Sequence, residues 1–334
     1  MTTSTVTAGH RLLRDVEESV HEKVVGQDAT IRGLLIAMLT GGHVLLEGLP
    51  GLAKTLLVRS LADAMHTTFR RIQFTPDLLP GDVVGVPVYH QGTGEFRVYK
   101  GPVFANLVLA DEVNRAPPKV QSALLEAMEE GQVTIDGITY PLPSPFLVLA
   151  TQNPIEQQGT YPLAEAQLDR FMMKLRIEYP DRAQEREILE RIALSPSAES
   201  TRPVAVDLDD ETVAASSAAV MEARAELDGV TLDRKIQDYI VDLVFATREP
   251  VQAGLPELAK LLEFGTSPRA TIFLARAARA LAYLEGRDFV LPDDVKAVAP
   301  PVLRHRLRTT YEADAKGIDA DQLIDRLLAT VPSP

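Results

Sequence analysis

The segment Gly48-Leu49-Pro50-Gly51-Leu52-Ala53-Lys54-Thr55 carries the residue types that a phosphate chain requires. Gly48 and Gly51 let several backbone N–H groups converge on one phosphate. The Lys54 ammonium reaches the outer phosphate oxygens, and the Thr55 hydroxyl is a ligand for Mg²⁺. Pro50, Leu52, Ala53 and Leu56 complete the stretch expected to line a nucleotide. The pattern departs from G-x-x-x-x-G-K-[ST] at Ala53, where the last glycine is expected; one methyl strains such a nest without filling it. The plain alternative is a Gly/Pro turn that happens to precede a helix. The flanks weigh against it: His43-Val44-Leu45-Leu46-Glu47 is a short apolar run of the buried-strand kind, and Leu56, Leu57, Leu61 and Met65 mark a helix.

A site of this type needs an acidic residue at the end of a neighbouring strand. Leu107-Val108-Leu109-Ala110-Asp111-Glu112 supplies one. Asp111 is placed to hold Mg²⁺ through water beside Thr55, and Glu112 to polarise an attacking water as general base. Alone, an Asp-Glu pair after a strand reads as a helix cap with solvated charge; the loop upstream shifts the balance.

Around these residues the periodicities place the elements. Leu12, Leu13, Val16 and Val20 predict a first helix, and Ile31, Leu34, Leu35 and Met38 a second, stopped by Gly41-Gly42. Further strands are expected at Phe69–Phe74, Phe146–Ala150 and Phe171–Ile177, and a helix at Lys119–Gly131. Val86–Tyr99 around Gln91-Gly92-Thr93-Gly94, and Gln132–Tyr140 around Asp136-Gly137, read as β-hairpins. Helical periods dominate after Tyr179-Pro180, with a linker-like stretch from Ser195 to Pro203. The expected architecture is an α/β, doubly wound, five-stranded parallel sheet over 1–180, with inserted hairpins at about 86–99 and 132–140. A smaller all-α lid follows over 181–334.

Composition narrows the function classes. With 46% hydrophobic and 24% charged residues the chain is of ordinary globular type. The formal charge of −13 opposes broad binding of a polyanion, and the absence of Trp leaves few stacking platforms, so nucleic acid is not the expected partner. The lack of Cys excludes disulfides and thiolate zinc. No apolar stretch approaches the ~20 residues of a membrane span, and the Thr-rich N-terminus lacks the apolar core of a signal peptide, so a cytoplasmic protein without membrane insertion is expected.

The ordered motifs resemble the AAA+ ATPases, and among them the MoxR family, over nearly the whole chain. The matching stretches are Val24-Val25-Gly26-Gln27, the loop Gly48 to Thr55 with its Ala53, Ala110 to Ala116, and Leu124 to Gly131. Ala150-Thr151-Gln152-Asn153-Pro154, Glu165 to Phe171, and Gly265 to Ala270 complete them. The resemblance implies Mg²⁺ and ATP as ligands and assigns further roles. Val25 and Gly26 resemble the residues that hold adenine. Asn153 looks like sensor 1, Arg170 like an arginine finger acting on the neighbouring subunit's ATP, and Arg269 like sensor 2, carried by the lid and completing the chain's own half of the site. On residues alone, Asn153 reads as a turn residue, Arg170 as an ion-pair partner of Asp169 or Glu165, and Arg269 as part of a helix start. Arg115 is read as bridging subunits or pairing with Glu112, and the basic cluster Arg304, His305, Arg306 and Arg308 as a solvated face or subunit contact.

A finger lent by a neighbour implies an oligomer, in this family usually a hexameric ring. The leading expectation is a chaperone-like ATPase that remodels or matures protein complexes, working with a von Willebrand factor A domain on another polypeptide. The alternatives are a metal-chelatase-like motor subunit, to which the helix-2-insert branch relates this pattern, a nucleic-acid motor, and a non-hydrolysing nucleotide-switched scaffold.

Overall fold

A computed structural model describes residues 7–92, 94–153, 159–194 and 209–334. The linker-like stretch at 195–203, Thr93 at the first hairpin's tip and Pro154 lie outside the described residues. In chain order the first half runs α1 (Ala8–Lys23), α2 (Asp28–Thr40), β1 (Val44–Glu47), α3 (Lys54–Ala64), β2 (Phe69–Gln73), α4 (Pro80–Val84), β3 (Gly85–His90), β4 (Glu95–Lys100) and β5 (Leu107–Asp111). There follow α5 (Pro118–Glu130), β6 (Gln132–Ile135), β7 (Ile138–Pro141), β8 (Leu147–Gln152), α6 (Glu165–Leu168) and β9 (Met173–Arg176).

The central sheet has five strands in the order β2-β5-β8-β1-β9, and every pairing is parallel. β5 is buried at every position and β8 at all but its last, because helices cover both faces. Strand order changes direction beside β1, and in sheets of this kind ligands bind at the carboxyl ends of the strands next to that point. The loop after Glu47 and the acidic pair after Ala110 both emerge there.

Two hairpins stand off this core. In β3–β4, Val86, Val88, Tyr89, Phe96 and Tyr99 are all exposed, and the rings of Tyr89 and Phe96, directly opposite one another, lie 5.3 Å apart. In β6–β7 the turn residues Asp136 and Gly137 both have positive φ, as a two-residue type I′ turn demands.

The second half comprises α7 (Arg182–Ile188), α8 (Asp210–Glu226), α9 (Arg234–Arg248), β10 (Leu262–Phe264), α10 (Pro268–Leu284), α11 (Pro292–Leu303), β11 (Arg308–Thr309), α12 (Tyr311–Ala315) and α13 (Ala320–Thr330). To the helical lid expected from sequence the structure adds a short antiparallel ribbon, β10–β11. The apolar core runs continuously from the sheet into the lid. Leu34, Leu35 and Met38 of α2 share one buried cluster with Leu243 of α9, Leu274 of α10 and Val298 of α11. This accounts for α2, which is apolar on almost every side and is buried between the two halves. Among the described residues no helix is long and apolar enough to cross a membrane.

Candidate active site

The loop after β1 ends in α3, whose first residue is Lys54. Ala53, at the N-cap, has φ 53° and ψ 26°, the left-handed conformation that glycine adopts freely and alanine does not. The strain expected from the sequence at this position is therefore present in the backbone. No side chain caps α3 and its first turn holds no acid. The helix thus presents unpaired N–H groups and the positive end of its dipole toward the loop, an arrangement suited to an anion. Gly51 has φ +85° and nothing within 4 Å of where a Cβ would stand, so the loop opens onto free space. Gly48 is the opposite case: a Cβ there would meet the Ile177 side chain and carbonyl at 3.0 and 3.1 Å. Lys54 Nζ donates to the Gly48 carbonyl at 2.6 Å. Burial pulls the Lys54 ammonium below its ordinary pKa, and Asp111 and Glu112 act in the opposite sense. The two carboxylates therefore belong to the same electrostatic site as the lysine.

Asp111 ends β5 and is 9% exposed. Its Oδ1 accepts a hydrogen bond from Thr151 Oγ1 at 2.6 Å. Thr151, fully buried on β8, in turn accepts from the Glu112 backbone N–H at 2.8 Å. One hydroxyl therefore fixes both acidic residues. Glu112 has φ 57° and ψ 48°, again left-handed. Such strain in a non-glycine residue persists only where the surroundings over-determine it, and it concentrates at functional sites. The Glu112 carboxylate accepts from Gln73 Nε2 at 2.8 Å and pairs with Arg115 Nε at 3.2 Å, the second of the two roles considered for Arg115.

The Arg71 guanidinium covers the other oxygen of Asp111, with NH2 2.5 Å and Nε 3.1 Å from Oδ2. Asp111 thus already binds a cation, and its carboxylate and the half-buried Thr55 hydroxyl are the oxygen donors that a hard divalent ion takes. The described residues contain no group of three or more metal-ligating side chains.

Val25 and Gly26 precede α2 and lie against the chain leaving β9. Gln27 Nε2 donates to the Glu178 carbonyl at 2.9 Å, and a Cβ at Gly26 would meet the Gln184 amide of α7 at 2.7 Å. The segment assigned to adenine is thus packed at the junction of core and lid. Asn153, one residue beyond β8, sits at the same sheet edge as Asp111. Pro50 and Leu56 are exposed beside the loop, and Leu52 is half-buried.

Arg170 and Arg269 lie elsewhere. Arg170 precedes β9, whose first residue Met173 pairs with Val44, the first of β1. The phosphate loop follows the last residue of β1. At ~3.3 Å per residue along the strands, the two ends are separated by about 10 Å or more. Arg269, in the first turn of α10, reaches the same far end: its NH2 is 2.5 Å from Glu129 Oε1, and Arg170 Nε is 2.9 Å from Glu129 Oε2. Arg269 therefore does not complete the chain's own half of the site, as expected from sequence, but stands with Arg170 on the opposite edge. Nor does Arg170 pair with Asp169 or Glu165, which bind Arg306 and Arg308 instead.

The basic cluster in the lid also differs from its sequence reading. The Arg306 side chain is 1% exposed and bonds to Asp169 Oδ1 and to the carbonyls of Asp169, Phe171 and Met172. Arg304 pairs with Asp321 at 3.0 Å. Arg304 and Arg306 thus tie the lid to β9 and the turn before it, whereas Arg308 stays exposed, as a solvated face would be.

Sequence reasoning missed Arg71, Gln73, Thr151 and Glu129 as members of the site. Arg71 and Gln73 alternate along β2, and Gln73 lies in register with Asp111, so the signal becomes readable once β2 is known to neighbour β5. Nothing in the sequence marks Glu129 as the partner of two distant arginines.

Comparison with known proteins agrees with this geometry. Residues 43–173 match the model of an ATPase family associated with various cellular activities, AAA, and residues 258–327 match an AAA lid domain. The chain is 48% identical to the chaperone MoxR1 of Mycobacterium tuberculosis, over 97% of this chain and 83% of that protein. It is 35% identical to the protein MoxR of Paracoccus denitrificans over 99% of both chains. The crystal structure of a Cytophaga hutchinsonii protein described as a candidate ATPase superposes with a TM-score of 0.86 at 49% identity, covering 98% of this chain and 96% of that one. A phosphate loop after β1 and an acidic pair after β5, set apart by β8 rather than on directly neighbouring strands as expected from sequence, a helical lid, and relatives matched over nearly the whole of this chain place it in the MoxR family of AAA+ ATPases.

Proposed function

We propose that the chain hydrolyses ATP at a site completed between two subunits of a ring, and uses the cycle to remodel protein complexes. The observation that carries this reading is the division of the machinery between opposite edges of one sheet. The loop, Lys54, Asp111 and Glu112 lie at one edge, and Arg170 and Arg269 at the other. Neither arginine reaches its own subunit's loop, whereas a head-to-tail neighbour in a closed ring brings the two edges together.

Val25 and Gly26 hold the adenine at the junction of core and lid. Gly48, Gly51 and the α3 N-terminus cradle the phosphates, with Lys54 exchanging its Gly48 carbonyl for phosphate oxygen. Thr55 and Asp111 are the residues that would hold Mg²⁺, which supplies charge neutralisation on the phosphates when bound. Glu112 accepts a proton at its carboxylate from the attacking water, and Asn153 orients that water. Arg170 and Arg269 of the neighbour offset the negative charge that develops on the transferred group.

For the output of the cycle, the exposed apolar residues of the β3–β4 hairpin support contact with protein, since residues such as Tyr89, Phe96 and Tyr99 rarely cluster on a surface without a use. The relative named a chaperone supports protein clients. A separate polypeptide with a von Willebrand factor A domain, a ring of six and a cytoplasmic location complete the proposal, and the net charge of −13 disfavours a nucleic-acid track. Steady-state ATP hydrolysis by Glu112→Gln and Arg170→Ala tests it. Both are expected to lose about 100-fold or more in turnover while still binding nucleotide, and full activity in both overturns the assignment.

A further inference from the structure

Glu129 holds an unusual position. It sits in the last turn of α5 with Glu126 and Glu130 close by, and that turn contains no basic residue. Carboxylates there oppose the helix dipole. The offset comes from outside the helix: one oxygen of Glu129 binds Arg170 and the other binds Arg269. Two guanidiniums that would repel one another are held side by side by a single carboxylate. All three side chains remain between a third and two-fifths exposed, so the pair is presented at the surface rather than sequestered. Arg170 and Glu129 also border an open cleft of about 530 Å³, with Glu126 and Thr134 on its walls.

The backbone carrying these arginines is immobilised from the other side. Ser267 Oγ donates to both oxygens of Asp169, the residue before Arg170, at 3.0 and 2.8 Å. The same Ser267 oxygen accepts from the Arg269 N–H at 3.1 Å and caps α10. Arg306 adds the bonds to Asp169, Phe171 and Met172 described above. The turn bearing Arg170 and the start of the helix bearing Arg269 are thereby one unit, built from core and lid together.

We infer that Glu129 is a positioning residue, whose carboxylate sets Arg170 and Arg269 as a preformed pair for the triphosphate of the neighbouring subunit. The inference rests on the intersubunit reading above. Orienting charge before the reaction is where such sites gain rate, and loss of that order costs turnover more than ground-state binding. Glu129 acts through the two arginines it binds.

Mixed assemblies test it. Arg170→Ala subunits keep an intact loop and acidic pair, and Glu112→Gln subunits keep intact arginines, so hydrolysis in the mixture reports the arginines of the second acting on the site of the first. Adding Glu129→Gln to the Glu112→Gln donor is expected to lower kcat of the mixture about tenfold or more, with KM for ATP held within about twofold. The same substitution in the Arg170→Ala subunit is expected to act far less. Undiminished or raised turnover with the altered donor overturns the role of Glu129. Equal loss in both placements does so as well, since it indicates a general structural effect. Absence of any hydrolysis in the unmodified mixture instead overturns the intersubunit reading itself.

Discussion

Replacing Thr151 by valine keeps the shape of a fully buried side chain and removes the one hydroxyl that organises the acidic pair. Two bonds disappear: the 2.6 Å donation to Asp111 Oδ1 and the 2.8 Å acceptance from the Glu112 N–H. A hydrogen bond to a charged group is worth about 1.5–3 kcal/mol, and a buried N–H left without a partner costs about 1–3 kcal/mol. These terms share one hydroxyl and are not additive, so a loss of about 2–4 kcal/mol is expected. A functional effect of similar size should accompany the stability effect, because the left-handed Glu112 loses its anchor and Asp111 can turn toward Arg71. A displacement of about 1 Å at a catalytic group costs up to ~100-fold in rate, so kcat is expected to fall ten- to 100-fold. Thr151→Ser is the control: it gives up one methyl, about 1 kcal/mol, but keeps both bonds. Denaturant unfolding and steady-state ATPase assays on the two variants read both quantities. If Thr151→Val stays within about 0.5 kcal/mol of the parent and hydrolyses ATP at the parent rate, the two bonds do not organise the site.

Two further outcomes follow from the backbone and the buried polar groups. Ala53→Gly relieves a left-handed alanine at the cost of a looser unfolded chain, and is expected to stabilise the protein by about 0.5–1 kcal/mol without loss of nucleotide affinity; destabilisation on chemical unfolding contradicts the strain. His43 is buried with Nδ1 accepting from the Val148 N–H at 3.0 Å and Nε2 bonded to the Met128 carbonyl at 2.9 Å, which defines a neutral tautomer. Burial, assisted by Arg224, holds its pKa down to about 4. The folded value lies below the unfolded one of 6.5, so the contribution is complete above pH 6.5 and is lost as pH falls toward 4. About 2 kcal/mol of stability should disappear between pH 7.5 and 5 through this residue. His305, also pushed well down by burial, acts in the same sense. An imidazole resonance of His43 titrating near 6.5 in the folded protein contradicts the assignment.

Much of this was legible in the sequence because the signals are local. The strand, glycine loop and helix around Lys54 follow from apolar runs and spacing, and the Asp136-Gly137 turn from the φ preferences of those two residues. Ala53 marked a strained position, because the motif expects glycine there. What escaped depends on which elements become neighbours. Arg71 faces Asp111 only because β2 lies beside β5, and Thr151 only because β8 lies on the other side of β5. Arg269 was grouped with its own subunit's nucleotide because a linear motif does not say which edge of the sheet the lid reaches. The cluster from Arg304 to Arg308 looked solvated because charge runs usually are; here Asp169, Asp321 and three main-chain carbonyls draw much of it inward.

The central claim is that a complete active site takes its loop and acids from one subunit and its arginines from the next. It is tested most directly by mixing Arg170→Ala protein with Glu112→Gln protein, each inactive alone, and measuring phosphate release. The account predicts that hydrolysis returns in the mixture and rises with protein concentration as mixed assemblies form. A mixture as inactive as its two components, with both still binding ATP and assembling, contradicts it.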